Sequence, residues 1–334
     1  MRKLFVLFCL ITSFTTLAQE SLDQIKQKAI TYSNEGQHEE ALKYRLMQLK
    51  FEPTGLIHGH VGYELMSLNR DDEAKPYLEK ATELNPTEPS HWINLSLIYS
   101  SKKEFATALT LIDKGLEANP EYKNGLAAKA KCLFRLNRFD ESLDLLNKLL
   151  EAKYVHIDLL FTRAQILEEK NELDSAYADY THGLTLNPEH YGILGGLAEV
   201  LQKQEKFEEE IIIRKRTLQL FIDNKESSDF ISGTQALLGL AYSNAGDYKN
   251  ALIAFNASIE IEATYSEVFI QRCITKIFLK DLEGACADLT EAMRLKPEEA
   301  SAMRDFFEDE PDYKEFLDFC SPELWGSNKK ARYL

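Results

Sequence analysis

The chain has 334 residues, 44% hydrophobic and 28% charged, a balance that excludes wholesale disorder and leaves ample apolar material for a buried interior. A formal net charge of −15 argues against general binding to phosphate backbones, and five scattered cysteines are too few for a disulfide framework. No CxxC occurs, so neither a redox motif nor a zinc knuckle is legible.

The first element is "MRKLFVLFCLITSFTTLAQE", with two cations ahead of an apolar run from Leu4 to Leu10 and small residues before Gln19. This composition predicts an export signal over residues 1–18, cleaved after Ala18. The run is too short to span a bilayer, and no later segment approaches the ~20 apolar residues that spanning needs. Cys9 lies inside the apolar run behind Phe8, which disfavours a lipid anchor. Removing residues 1–18 takes away Arg2 and Lys3 and no acid, leaving a mature charge of −17.

Beyond the signal the chain repeats. Ala41, Ala74, Ala108, Ser142, Ala176, Glu210, Ala251 and Ala285 follow one another at spacings of 33, 34, 34, 34, 34, 41 and 34. Twelve residues before each comes a small residue: Ala29, Gly62, Ser96, Ala130, Ala164, Ala198, Gly239 or Cys273. Nine before stand large residues such as Tyr32, Leu65 and Tyr242, and four after come Leu78, Ile112, Leu146, Tyr180, Phe255 or Leu289. Twelve after comes a proline in five units, Pro53, Pro86, Pro120, Pro188 and Pro297, with Tyr154 and Ala263 as departures. Each unit therefore reads as helix, short turn, helix: small residues admit close approach, large ones fill the seam, and proline ends the second helix. Gly36, Asn69, Asn137, Asn171 and Gly246 occupy the turn, where a left-handed backbone costs little.

A 34-residue helical hairpin with this pattern resembles the tetratricopeptide repeat family. The repeats fall at 22–54, 55–88, 89–122, 123–156, 157–190, 191–224, 232–265 and 266–299, with 300–334 read as a C-terminal cap and tail. The resemblance implies an all-α, right-handed superhelical solenoid of about eight helix-turn-helix units closed by a capping helix. For the cap, Phe306, Phe307, Phe316, Leu317 and Phe319 offer the apolar contact, and "GSNKKARYL" reads as a loose basic tail. Repeat six departs: Glu210 replaces alanine and seven extra residues, "KESSDFI", follow. An unpaired buried carboxylate is costly, so either Arg214 partners it or the register shifts; the shift, with a joint over residues 205–231, is the favoured expectation, beside a simply longer second helix.

The search for chemistry yields little. There is no GxSxG, HExxH, GKS/GKT or GxGxxG after a strand. "GLIHGHVG" clusters glycines, but Gly62 is explained by close packing; His58 and His60, two apart on a helix, point to different sides and have no third ligand at matching spacing. No metal, cofactor or catalytic residue is expected. Cys273–Cys286 or Cys286–Cys320 bridges are conceivable after export, although buried free thiols are the favoured reading. The sequons at Asn94 and Asn256 fall in helices and are read as chance.

The resemblance implies that the first helix of each hairpin lines a concave groove, and it carries onto Tyr63, Met66, Ile93, Leu97, Lys131, Phe134, Arg135, Phe161, Glu168 and Glu169. An apolar section gives way to basic and then acidic residues, which suits a peptide of uneven charge. Some members of the family bind chaperone C-terminal carboxylates through a lysine and asparagines; Lys26 matches the lysine, but Ile30 stands where an asparagine belongs, so that mode is not expected. The expectation is a noncatalytic scaffold binding a protein or peptide, not nucleic acid, with possible envelope association, in the periplasm or outside a cell whose signal resembles that of a Gram-negative bacterium. The alternative is a cell-envelope carbohydrate module stacking sugars on Tyr63, Phe134 and Phe161. An enzyme would have to use Glu168, Glu169 and Glu199.

Overall fold

A computed structural model describes residues 20–309 and 313–324, so the expected export signal and the basic tail lie outside the described residues. Those residues form eighteen α-helices and one 3-10 turn, with no strand among them. They divide into two compact units, split in the chain between Leu159 and Leu160. None of the described helices is long and apolar enough to cross a membrane.

In the first unit, four hairpins follow one another: α1 (Leu22–Asn34) with α2 (His38–Phe51), α3 (Gly55–Ser67) with α4 (Asp71–Leu84), α5 (Pro89–Ser101) with α6 (Phe105–Ala118), and α7 (Lys123–Arg135) with α8 (Phe139–Glu151). Ser21 opens α1 with a reciprocal capping box, its Oγ accepting from Gln24 N while Gln24 Oε1 accepts from Ser21 N. Helices α2, α4 and α6 each stop two residues before Pro53, Pro86 or Pro120, because the residue preceding a proline avoids helical backbone. At Tyr154, where proline is missing, Lys153 turns left-handed at φ +55°, and the amides of Lys153 and Tyr154 close onto Leu150 O and Leu149 O.

The second unit holds α9 (Ile157–Glu169), α10 (Leu173–Leu186), α11 (Tyr191–Lys203), α12 (Phe207–Asp223), α13 (Ser228–Asn244), α14 (Tyr248–Ile261), α15 (Ser266–Phe278) and α16 (Leu282–Leu295), then α17 (Ala300–Asp309) and α18 (Lys314–Leu324). Phe307 and Phe316 are fully buried on the core formed by Phe269, Cys273, Ile277 and Leu289, with Leu317 packed beside them. Phe306 and Phe319 stay exposed.

Side-chain size sets the hairpin seam in both units. Every residue of the alanine series has no exposed surface, from Ala41 through Ala285, including Ser142 and Glu210. Ser142 fits because its hydroxyl donates to Ala130 O at 2.7 Å. The left-handed turn occurs at Gly36, Asn69, Asn137, Asn171 and Gly246, and also at Lys103, Glu205 and Lys280, which the sequence did not mark. The hairpin imposes the turn whatever residue stands there.

Two expectations need correction. Glu210 keeps its register: it is buried with Arg214, whose Nε lies 2.6 Å from Glu210 Oε1 one helical turn on. The seven extra residues form no joint but lengthen α12 and α13 to 17 residues each, and Phe230 from this insertion stacks on Phe221, which packs on Tyr191. The buried-thiol reading fails for one pair, because Cys286 and Cys320 are joined with Cα atoms 5.7 Å apart, tying α18 to α16. Cys273 and Cys132 remain free and buried.

Candidate partner-binding surfaces

In the first unit, the first helices of the hairpins place Tyr63 and Met66 on α3, Ile93 and Leu97 on α5, and Lys131, Phe134 and Arg135 on α7. Leu97, Lys131 and Arg135 come together around a cavity of about 700 Å3, joined by Phe105 from the start of α6 and Lys103 from the turn before it. The sequence reading missed Lys103 and Phe105, since turn and second-helix residues were assigned to structure alone. Their signal was a break in turn composition, since Lys103, like Glu205 and Lys280, stands where five other turns carry glycine or asparagine.

The electrostatics of this cavity run against the rest of the chain. Among the described residues, Lys103, Lys131 and Arg135 have no ion-pair partner, while neighbouring Lys102 pairs with Asp72 at 2.8 Å and Lys129 with Asp113 at 2.7 Å. Three unneutralised cations beside Leu97 and Phe105 make a basic, apolar-floored recess in an acidic protein. Arg135 lies over the Phe134 ring at 5.5 Å, which keeps that aromatic face covered. Burial pushes the Cys132 thiol in the wall up, which disfavours its thiolate.

Tyr63 is exposed and meets the edge of His38, with ring centres 6.1 Å apart. Met66 is half-buried against the Val61 and Leu78 core. Ile93 corrects the expectation: it is 5% exposed, filling the space left by Gly115 and Gly125, and offers a partner no surface. Lys26 is held by Glu52 at 2.6 Å and is not a free clamp lysine.

In the second unit, Phe161 packs against Tyr180 and His190, with ring centres 6.2 and 5.5 Å away, and is only partly accessible. The Glu168 carboxylate accepts from Tyr180 OH at 3.1 Å and from Lys203 at 2.8 Å, whereas Glu169 is exposed. Burial and the Glu168 charge drive the Tyr180 hydroxyl well above its ordinary range, so it stays a neutral donor. Two donors hold the Glu168 carboxylate in place between α9, α10 and α11. The Asn256 sequon is likewise occupied, its Oδ1 accepting from Arg272 Nη1 at 2.8 Å.

Family models described as Tetratricopeptide repeat match residues 99–160 and, for a second model of that description, residues 57–88, 157–190 and 233–265. No curated protein matches the sequence. Among solved structures, PilW, a widely conserved type IV pilus biogenesis factor, is similar with TM-score 0.55 at 18% identity, over 64% of this chain and 96% of that one. The pilF protein of Pseudomonas aeruginosa gives 0.51 at 17%, over 69% and 97%. A chain of the APC/C hetero-tetramer Cut9-Hcn1 gives 0.54 at 15% over 92% of this chain, which spans 57% of that chain's length. At such identities the likeness is one of fold.

Proposed function

This chain belongs to the tetratricopeptide repeat family, and from that premise we propose that it is a noncatalytic scaffold holding a protein or peptide partner along the first helices of its hairpins. The observation that carries this reading is the recess of about 700 Å3 in which Leu97 and Phe105 adjoin three cations without ion-pair partners. It fits a partner segment that places an acidic side chain next to an apolar one. The charged N-terminal apolar segment supports export, and the proposed setting is the periplasm or the outer face of the envelope. Tyr63, the one well-exposed aromatic among the candidate stacking residues, keeps carbohydrate recognition as the second reading.

The test uses residues 19–334 beside a Lys131→Glu, Arg135→Glu variant whose helicity and melting temperature match the wild type. Each is crosslinked in the envelope fraction of its native cell. One protein bound saturably by the wild type and lost from the variant supports the reading. Identical captures by both, or saturable binding to purified envelope glycan abolished by Tyr63→Ala, overturn it.

A further inference from the structure

The first unit contains another cavity, about 260 Å3, whose wall includes Arg45, His60, Glu64 and His91, with Leu56 and Tyr63 also lining it. It lies where repeat one breaks the family's seam. Four residues after the marked alanine, six repeats carry Leu78, Ile112, Leu146, Tyr180, Phe255 or Leu289; repeat six carries Arg214, which Glu210 neutralises, and repeat one carries Arg45, buried with 7% exposure and no carboxylate bonded to it among the described residues. Its Nη1 donates to Gln48 Oε1 at 3.1 Å, while its Nε finds no acceptor among the described residues. His91 on α5 is 2% exposed and fits against Gly59, where a Cβ would sit 2.5 Å from the imidazole. The Nδ1 atoms of His91 and His60 have no partner either.

Three polar nitrogens without a partner among the described residues converge on one cavity, and such buried groups are nearly always satisfied by protein, water or ligand. A metal ion does not fit: no suitable group of three His, Cys, Asp or Glu occurs among the described residues, and the guanidinium would repel a cation. Glu64, buried in the same wall, has its own partner in His38 Nδ1 at 2.7 Å and leaves the guanidinium Nε to be satisfied by something else. Its negative charge also disfavours a multivalent oxyanion in so small a space.

We propose that this cavity binds a small monocarboxylate, its oxygens accepting hydrogen bonds from Arg45 Nε and His60 Nδ1, with its hydrocarbon part against Leu56 and Tyr63. His60 is then the tautomer protonated at Nδ1, whereas His91, bonded to the Asn85 and Ala81 backbone, keeps its proton on Nε2. The carboxylate comes either from a free acid or from the end of a polypeptide. The site stands apart from the basic recess and does not depend on the partner proposed there.

The full mature chain is melted and titrated calorimetrically with sodium acetate and propionate, against sodium chloride at equal ionic strength, at pH 7.5. A saturable rise in melting temperature with the carboxylates alone is expected. Arg45→Met restores the apolar seam and should abolish that rise. A response equal to chloride, or one kept by Arg45→Met, overturns the proposal. Should Arg45→Met not fold, imidazole NMR of the wild type decides: acetate must shift the His60 nitrogens, and unmoved resonances overturn it. A short peptide with a free C-terminus that binds at least tenfold tighter than acetate, while its amidated form does not, assigns the source to a polypeptide end; comparable acetate binding assigns it to a free acid.

Discussion

Gly62 and Leu78 interlock so closely that a Cβ on the glycine would lie 2.5 Å from Leu78 Cγ. The same relation recurs between Gly239 and Phe255, where the nearest approach would be 2.7 Å. Gly62→Ala should therefore cost about 1–3 kcal/mol through overpacking, although alanine is the better helix former. Leu78→Ala alone should cost about 2–5 kcal/mol as a cavity. Urea denaturation of the two single variants and the double variant checks the coupling: the glycine substitution should become nearly harmless once Leu78 is shortened.

The Glu210–Arg214 pair is wholly buried, so its two halves are worth more together than apart. Burial raises the Glu210 carboxyl and Arg214 opposes that rise. Arg214→Met should destabilise by about 3–5 kcal/mol by leaving a charge unpaired, whereas Glu210→Ala with Arg214→Leu, which restores the pattern of the other repeats, should be neutral or stabilising. Denaturant midpoints of the single and double variants would separate these outcomes.

Acid should weaken the first unit through His60. Burial, helped by the charges of Arg45 and His91 and opposed by Glu88, lowers its imidazole from 6.5 to about 4. His91 is lowered as well, chiefly by burial. The unfolded imidazole takes its proton near 6.5 and the folded one only near 4, so stability is whole above the first value and declines as pH falls toward the second. Between pH 7.5 and 5, His60 should account for a loss of about 2 kcal/mol. The check is the pH slope of the urea midpoint, which should flatten in His60→Gln.

Replacing Cys286 and Cys320 by alanine removes a bridge across 34 residues. Loop-closure entropy puts the loss at about 4 kcal/mol. Hydrogen exchange should show it first as lost protection in α17 and α18 while α11 and α13 keep theirs.

Much of the seam was legible because its demands are local and recur. A small residue must face a large one within a single hairpin, so Gly62 with Leu78 and Gly239 with Phe255 write their contact into fixed spacing. Residues that depart from the pattern were harder. Glu210 looked like a fault in register, yet its remedy lay one turn away at Arg214, and helix geometry alone preserved the frame. The Cys286–Cys320 bridge depends on how the chain folds back after the last repeat, which periodicity does not encode. The basic recess was half visible: Leu97, Lys131 and Arg135 sit on first helices, but Lys103 and Phe105 enter from a turn and a second helix. Ile93 shares the register of the groove residues and is nonetheless buried, because Gly115 and Gly125 leave it room to sink inward.

The extensive helix contacts join elements that are adjacent or next-but-one along the chain. Among the described residues of each unit nothing resembles a keystone. Under tension applied at its ends it should yield in short, similar increments as individual hairpins peel away, and each should re-zip on slackening without waiting for distant partners. The Cys286–Cys320 bridge would clamp the end that otherwise has a neighbour on one side alone.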